Sequence, residues 1–498
     1  MKRSSKQLKA ELAEAKAELV TTKAELVEAK AELNTTKAEL VEAKAELNTT
    51  KEELEATAEL LRIAFEEIKT LKEKLNLNSK NSSKPPSSDQ KPDTPTKDRK
   101  KRKPREGVSR SVFPLERINK RVDCTRDDCS HCGSQCIENL RSPEILQQAE
   151  LPEIRAIITE YLLHKYRCNG CGKQSTANLP TGVPDSAFGP RLMGLFATLT
   201  GVLHVAKREA IQLMKDLYDV DIGLGSAPNI EERVSKALDS VYQRIRNLLM
   251  EGDFCKHFDE TTWRDSGKRC YAWVASCSIA AFFKLHPNRS REAFEALIGK
   301  ASGFTAVTDR YSVYTTIGKL HQYCLAHIIR DFRRYAERDG PDSEIGEALS
   351  HEFARVCGIH KEYREGKTSL KQRNLRICYR KRLIEFWLDD GFANGSKKLS
   401  GLCQNLLDDF DKLWTFTKVQ GMEPTNNLAE RDLRKLVIWR KKSFGTRSNR
   451  GQKFVERITS VAETAKRHGT NALRFMQDTI ENFFAGKPAP YICEEMGI

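Results

Sequence analysis

A heptad repeat over residues 9–75 is the feature that most constrains the fold of this 498-residue chain. Large apolar residues recur every seven positions, at Leu12, Leu19, Leu26, Leu33, Leu40, Leu47, Leu54, Leu61, Ile68 and Leu75. Three residues after each of the first nine comes alanine or threonine, except for Leu71 near the end. This pattern predicts a coiled coil over residues 1–77, through which the chain self-associates. A single charged helix held by Glu/Lys pairs is the alternative.

A polar and basic stretch follows at residues 78–108. It is rich in Ser, Asn, Pro and Lys, which cannot form an apolar core, and this composition predicts a flexible linker. Within it, Lys97 to Arg105 holds seven basic residues and one acidic residue. This run is either a solvated charge cluster or an arm that contacts DNA phosphates, whose binding would weaken steeply with salt.

The composition indicates an anionic partner and no membrane segment. The chain carries 84 Lys and Arg against 69 Asp and Glu, a net charge of +15. Because the basic residues are clustered, nucleic acid is the first candidate. The N-terminus lacks the apolar core of a secretory signal, and the longest apolar run, 274–283, is too short to cross a bilayer. The 14 cysteines mostly stand singly, which is typical of a soluble protein in a reducing compartment.

Two cysteine pairs predict a structural zinc site within residues 109–185. Cys129 and Cys132 form one Cys-x-x-Cys knuckle, and Cys168 and Cys171 form the other. A glycine follows each pair and lets backbone amides turn toward the sulfurs. Four thiolates suit tetrahedral Zn²⁺ and leave no open position for catalysis. The sequence between the knuckles, 149–166, is strand-like.

Residues 186–250 are predicted to be helical. Within them, 204–238 is typical of two helices joined by a glycine-containing turn, and such a pair can place its second helix in a DNA groove. The buried faces are expected to carry Ala210, Leu213, Met214 and Leu217 on the first helix and Ile230, Val234 and Leu238 on the second. Two packed helices without a DNA-binding role are equally consistent with this pattern.

Three carboxylates are the candidate catalytic residues. Residues 251–339 predict three strands, a helix, a fourth strand ending at Asp309, and a fifth strand running into a basic helix. Asp259 is expected at the tip of the first strand. If the first and fourth strands are adjacent, Asp259 and Asp309 are neighbours and repel each other unless a cation lies between them. The third candidate, Glu430, lies on a later helix, where a near-capping box with Asn427 and an ion pair with Arg434 are its structural alternatives.

The segment around Glu430 is strongly basic and contains Trp439 and Phe444. Its predicted DNA contacts are Arg431, Arg434, Lys435, Arg440, Lys441, Lys442 and Arg447. Cations with interspersed aromatic residues suit a surface that follows a phosphate backbone. Three carboxylates with hard oxygen ligands suit two Mg²⁺ ions, or Mn²⁺, and a site of this kind performs in-line phosphoryl transfer.

In this order, the motifs resemble bacterial transposases of the insertion sequence 66 (IS66) family, within the DDE superfamily. The resemblance includes the coiled coil, "NSSKPPSSD" at 81–89, the paired knuckles, "HFDETTW", "TDRYSVY" with "CLAHIIRDFRR", and "NNLAERDLRKLVIWRKKSFGTRSNRG". It implies that Asp259, Asp309 and Glu430 hold the catalytic metals. It also implies a cytoplasmic enzyme that acts on chromosomal DNA, binds double-stranded element ends and target DNA, and works with accessory proteins of the element.

The resulting prediction is a multidomain α+β protein. Its parts are a coiled coil (1–77), a basic linker (78–108), a zinc-knuckle module (109–185), a helical DNA-binding segment (186–250), a ribonuclease-H-like α/β catalytic core in two parts (251–339 and 421–485) with a helical insertion (340–420), and a C-terminal tail (486–498). Glu260, His327 and Asn427 are expected to support the site, and Cys324 with His327 is a weaker metal pair. A metal-dependent nuclease without strand transfer and an inactive DNA-binding regulator are the alternative functions.

Overall fold

A computed structural model describes most of the chain. The described residues are 5–75, 78, 112–125, 128–135, 145–299, 303–316, 320–338 and 340–498. The predicted linker, including its basic run at 97–105, lies outside them except for residue 78. The fold is mixed α+β, as the sequence predicts.

The heptad region is one uninterrupted helix, α1 (Ser5–Leu75). At 1.5 Å per residue its 71 residues span about 107 Å. The heptad leucines remain exposed, with Leu12 and Leu40 at 56 % and 55 %. The seam is therefore uncovered in a single chain.

The region of the cysteine pairs contains one short hairpin, β1 (Lys165–Arg167) with β2 (Gln174–Thr176). The expectation that 149–166 is strand-like is wrong for most of its length, because residues 149–164 form no strand. Their apolar side chains are largely exposed, with Ile157 at 93 %. With no neighbouring strand, this segment has no ladder hydrogen bonds to hold it extended.

Helices dominate the next segment. They are α2 (Pro190–Ala197), a π-helical turn (Thr198–Val202), α3 (Lys207–Tyr218), α4 (Ser226–Ala237) and α5 (Asp239–Glu251). Ile230, Val234 and Leu238 are buried as predicted, but Leu217 is 56 % exposed, because α3 ends one residue later and the chain turns away. Since α4 packs between α2, α13 (Asn449–Arg467) and α14 (Ala472–Phe484), little of it is free to enter a DNA groove.

A five-stranded mixed sheet forms the centre of the molecule. Its strands are β3 (Lys256–Asp265), β4 (Lys268–Ser276), β5 (Ala281–His286), β6 (Thr305–Thr308) and β7 (Leu320–Tyr323), in the order β5-β4-β3-β6-β7. The first three strands are antiparallel, whereas β6 is parallel to both β3 and β7. Helix α6 (Arg291–Ile298) connects β5 to β6. The first and fourth strands are therefore adjacent, as the sequence predicts.

Helices after β7 form a second apolar core. They are α7 (Leu325–Ala336), α8 (Pro341–Arg364), α9 (Leu370–Asn394), α10 (Lys397–Asp408) and the short α11 (Thr415–Lys418). Their core, which includes Phe332, Phe353 and Leu388, is separate from the one beneath the sheet. The chain then returns to the sheet as α12 (Asn427–Ser443), which packs on β3 and β4. Although helices α7 to α11 separate them in sequence, the sheet and α12 are therefore in direct contact.

Candidate active site

Asp259 lies where β3 and β6 separate. The parallel pairing ends at His257 with Val307, while β3 continues to Asp265 as a hairpin with β4. Asp259 is therefore inside a long strand and not at its tip, a correction to the sequence prediction. Strand β6 ends at Thr308, and Asp309 follows it directly. The separation of the two strands places both aspartates at the carboxyl end of β6.

Burial, together with the charges around it, raises the pKa of Asp259 well above the ordinary range of an aspartate. Burial is the largest cause, followed by the negative charges of Glu260, Asp309 and Glu430. One contact acts in the opposite direction, because the backbone N–H of Glu260 donates to Oδ1 of Asp259 at 2.9 Å. The charges of Asp309 and Glu430 thus both act on Asp259, although the oxygen atoms of these three carboxylates do not all lie within 4.8 Å of one another.

Asp309 is fixed by its own loop. Its Oδ1 accepts a hydrogen bond from the backbone N–H of Tyr311 at 2.9 Å. Next to it, the guanidinium of Arg310 lies 2.6 Å from the carboxylate of Asp331 on α7. These contacts tie the loop after β6 to its neighbouring helix, so the direction of the Asp309 carboxylate is constrained from both sides.

Glu430 lies in the first turn of α12 and faces α7. Its Oε1 is 3.1 Å from Nη2 of Arg330 and 3.6 Å from Nδ1 of His327. The expected capping box is not formed, because the N-cap residue is Asn426 and its side chain makes no capping hydrogen bond. His327 thus lies beside the glutamate as a supporting residue would. Arg330, which sequence reasoning missed, supplies a positive charge to Glu430.

The amide that joins α12 to β3 belongs to Asn426 and not to the predicted Asn427, which is exposed. Asn426 is fully buried. Its Nδ2 donates to the carbonyl of Phe258 at 2.7 Å, and its Oδ1 lies 3.1 Å from Nδ1 of His257. Its backbone N–H donates to Sγ of Cys324 at 3.1 Å. One side chain therefore sets the distance between the Asp259 strand and the Glu430 helix.

Replacing Asn426 with Ala should destabilise the fold by about 2–4 kcal/mol, because a buried carbonyl and a buried imidazole each lose a hydrogen-bonding partner. Urea unfolding would measure the loss. Asn427→Ala is the matched control, since that side chain is exposed and its removal should change stability by less than about 0.5 kcal/mol. Equal effects of the two substitutions would contradict this account of the α12 attachment.

Glu260 is held by its own partners, Arg289 and Tyr314, while its charge still acts on Asp259. Its Oε1 lies 2.5 Å from Nη2 of Arg289, and the hydroxyl of Tyr314 donates to Oε2. The side chain is almost completely buried. Adjacent residues of a strand face opposite sides, so this engagement agrees with a supporting role. Arg289 carried no motif signal in the sequence, and although Tyr314 ends the motif "TDRYSVY", nothing local linked either residue to Glu260.

A second set of donor atoms overlaps the site at Glu430. Among the described residues, only Cys324, His327 and Glu430 bring three donor atoms within 4.8 Å of one another. Burial raises the pKa of Cys324 to about 12, so its sulfur is a neutral thiol that accepts the Asn426 N–H. A thiol must lose its proton to bind a metal. These contacts favour a packing role for Cys324.

Most of the predicted DNA contacts lie on the outer surface of α12 and the loop after it. Arg431, Arg434, Lys441, Lys442 and Arg447 are exposed. Two others have partners within the chain. Lys435 lies 3.7 Å from Glu463, and the guanidinium of Arg440 donates to the carbonyl and hydroxyl of Thr262. The five exposed cations are here called the basic surface.

Trp439 is not part of that surface, contrary to the sequence prediction. It is 8 % exposed, and its ring stacks on His204 with centroids 4.8 Å apart. Trp263 and Phe454 approach it edge-on. Trp439 belongs to the same buried face of α12 as Leu436, three residues earlier, so helix periodicity explains its position. Phe444, by contrast, is 78 % exposed.

The two cysteine knuckles have matching backbone conformations. Gly133 and Gly172 have φ values of 71° and 70°, and each donates its N–H to the carbonyl of the first cysteine of its pair at 2.9 Å. Backbone amides that point at the sulfurs lower the pKa of Cys129 and Cys168. This backbone conformation is compatible with the predicted knuckles. However, no three of the four cysteines lie within 4.8 Å of one another, so the two pairs are separate here.

Comparison with known proteins adds two family matches. The profile described as the transposase IS66 family matches residues 185–454, more than half of the chain. The match includes β3, β6, all of α12 and the first residues of α13. A second profile, described as a family of unknown function (DUF6444), matches residues 4–111. No curated protein matches the chain. Within the described residues, we find no helix with the length and apolar character needed to cross a bilayer.

Proposed function

The chain belongs to the IS66 family of transposases, and we propose that it cuts and joins the ends of its element by metal-dependent phosphoryl transfer at Asp259, Asp309 and Glu430. The observation that carries this proposal is that two adjacent parallel strands and helix α12 bring Asp309 and Glu430 close enough to Asp259 for their charges to raise its pKa. The strand order, with a parallel strand beside the first hairpin strand, supports a ribonuclease-H-like core for this reaction.

The carboxylate oxygens fit hard divalent cations such as Mg²⁺ or Mn²⁺, and the residues that would hold them are Asp259, Asp309 and Glu430. Bound there, such ions would activate an attacking hydroxyl and stabilise the leaving oxygen of a phosphodiester. Arg330 and His327 hold Glu430 from α7, and Asn426 holds its helix on β3. Together these residues orient the carboxylates before DNA binds.

Other regions of the chain would serve the same reaction. The basic surface on α12 and Arg447 would contact the phosphate backbone of double-stranded DNA. The exposed heptad seam of α1 would be buried by self-association. The cysteine knuckles would hold Zn²⁺ to shape a module next to the helical segment, whose DNA-binding role also remains a proposal.

An assay with purified protein, labelled element-end DNA and Mg²⁺ tests the proposal. Cut ends that become joined to target DNA are expected. Cut ends without joined products would identify a nuclease, and DNA binding without cutting would identify a regulator built on the same fold.

Mg²⁺ should stabilise the protein through these carboxylates. At ten times its dissociation constant, a ligand that binds only the native state adds about 1.4 kcal/mol, which corresponds to a rise of roughly 3–6 °C in melting temperature. Without metal, Asp259→Asn should melt at or above the wild-type temperature, because the substitution removes a repelled charge. Mg²⁺ should no longer stabilise that variant. A full Mg²⁺ response in Asp259→Asn would contradict the assignment.

A further inference from the structure

The loop after α12 is attached to the tip of the β3–β4 hairpin. The backbone N–H of Thr446 donates to the carbonyl of Arg264 at 2.9 Å, and the N–H of Ser266 donates to the carbonyl of Thr446 at 2.8 Å. The Thr446 hydroxyl donates to Asp265 at 2.8 Å and accepts from the indole N–H of Trp263 at 3.2 Å. Residues 443–447, here called the pinned loop, are therefore held in one conformation by backbone and side-chain contacts.

Two residues of the pinned loop have left-handed backbone conformations. Gly445 has a φ of 101°, and a Cβ at this position would lie 2.1 Å from the carbonyl oxygen of Arg264, so only glycine fits. Phe444 has a φ of 60°, which is unfavourable for an aromatic residue, and its side chain is 78 % exposed. Neither burial nor packing accounts for a large apolar ring held there. Strain of this kind is concentrated at binding sites.

The pinned loop and the hairpin tip border a half-open pocket of about 410 Å³. Its walls are Arg264, Gly267, Ser443, Phe444, Gly445, Thr446 and Arg447. The volume falls within the roughly 300–1,000 Å³ of ordinary ligand sites. Arg264 and Arg447 are both exposed, and Lys268 and Arg269 extend the positive charge along the hairpin. An anionic ligand with a flat apolar part matches this combination of two arginines and one aromatic ring.

We propose that this pocket binds an unpaired nucleotide of the DNA, with its base stacked on Phe444 and its flanking phosphates contacted by Arg264 and Arg447. The inference rests on the proposed function, in that DNA is the substrate. Stacking on an exposed ring next to cations is how proteins bind unpaired bases of any sequence. The alternative occupant of the pocket is a protein partner. A protein would bring no phosphates to the arginines on both sides of Phe444.

The position of the pocket defines which nucleotide it would bind. Glu430 and Phe444 lie at opposite ends of α12, 14 residues apart, so about 21 Å separates them along the helix axis. At 3.4 Å per nucleotide, this corresponds to roughly six nucleotides along one strand. For a strand that runs along the axis of α12, the pocket would therefore bind a base displaced from the duplex about six positions from the phosphodiester at the active site.

Binding of labelled oligonucleotides to the full-length chain tests the proposal. Without divalent ions, a twelve-residue oligothymidine and a 20-bp duplex would be compared by fluorescence anisotropy. Phe444→Ala should weaken binding of the single strand by roughly 5- to 150-fold, the loss expected for one stacked base, and binding of the duplex by less than about twofold. Phe444→Trp should retain the affinity, and the emission of its new exposed indole should be quenched by the single strand.

Two further variants separate stacking from folding. Phe444→Gly should lose the same affinity while melting no lower than the wild type, because glycine adopts a φ of 60° without strain. Phe386→Ala, which removes another largely exposed ring, 62 % against 78 % for Phe444, should bind as the wild type does. An unchanged single-strand affinity in Phe444→Ala, or equal losses for single strand and duplex, would overturn the proposal. The proposal would also be overturned if Phe444→Ala changed the oligomeric state and that change accounted for the loss of single-strand affinity.

The same measurements distinguish this inference from the proposed function. If the wild type fails to cut element ends but Phe444 still determines single-strand affinity, the proposed function fails and the pocket assignment stands. If the wild type cuts and joins ends but Phe444→Ala binds the single strand normally, the pocket assignment alone fails.

Discussion

Asp259→Asn, Asp309→Asn and Glu430→Gln are each expected to reduce cleavage and joining of element ends by roughly a thousand-fold or more. Each substitution removes one anionic oxygen donor from the proposed metal site, and metal-assisted stabilisation of a phosphoryl transition state is worth several kcal/mol. The side-chain volume hardly changes, so DNA binding and folding should be retained. Labelled end DNA, with the products separated on denaturing gels, would measure both reactions.

Asp253→Asn is the matched control for this series. Asp253 lies six residues before Asp259, is exposed, and should tolerate the same chemical change with normal activity. If a variant of any of the three carboxylates cuts as fast as this control, that carboxylate does not hold a catalytic metal. Glu260→Gln should have a smaller effect, because the partners of Glu260 are Arg289 and Tyr314. A partial loss of cleavage in this variant would agree with a supporting role.

The second large effect concerns zinc. We expect the purified protein to contain about one Zn²⁺ per chain, and Cys129→Ser or Cys168→Ser to lose it together with the structure of residues 109–185. Binding to thiolates of this kind contributes about 10–16 kcal/mol to folding of small zinc modules. Zinc content by atomic emission and limited proteolysis before and after chelation would measure both consequences.

Cys378→Ser is a suitable control for the zinc measurement, because Cys378 is exposed and lies outside both knuckles. Its substitution should leave the zinc content unchanged. If the wild type contains no zinc, or if Cys168→Ser keeps it, the knuckles would have to be interpreted as paired thiols without a metal. Two zinc ions per chain would instead indicate that each knuckle recruits ligands from a second chain.

The sequence predicted the parts of the site that depend on local order. The alternation of apolar residues identified the strands that carry Asp259 and Asp309, and helical periodicity placed Glu430 on the same helix as the basic residues. Prediction from the sequence failed for side chains whose role depends on a partner far away along the chain. Arg330 contacts Glu430 across 100 residues, and Asn426 contacts Phe258 across 168. No local pattern identifies such pairs.

Trp439 shows a different limit of the sequence argument. A tryptophan among arginines and lysines suggested an exposed stacking residue, but the turn of the helix directs it into the core with Leu436. Phe444 has the same neighbours in sequence and the opposite exposure, because α12 ends just before it. Whether such an aromatic residue is buried or exposed depends here on where the helix ends. Helix ends are difficult to predict to within one residue.

Helix α12 is attached to β3 at both of its ends, by Asn426 to Phe258 and by Thr446 to Arg264. This double attachment fixes the number of residues between the two points. Deleting one residue of α12 would rotate everything beyond it by about 100° and break one attachment. Insertions and deletions in related chains should therefore be absent between 426 and 446, whereas the connections between α8, α9 and α10 should vary freely in length.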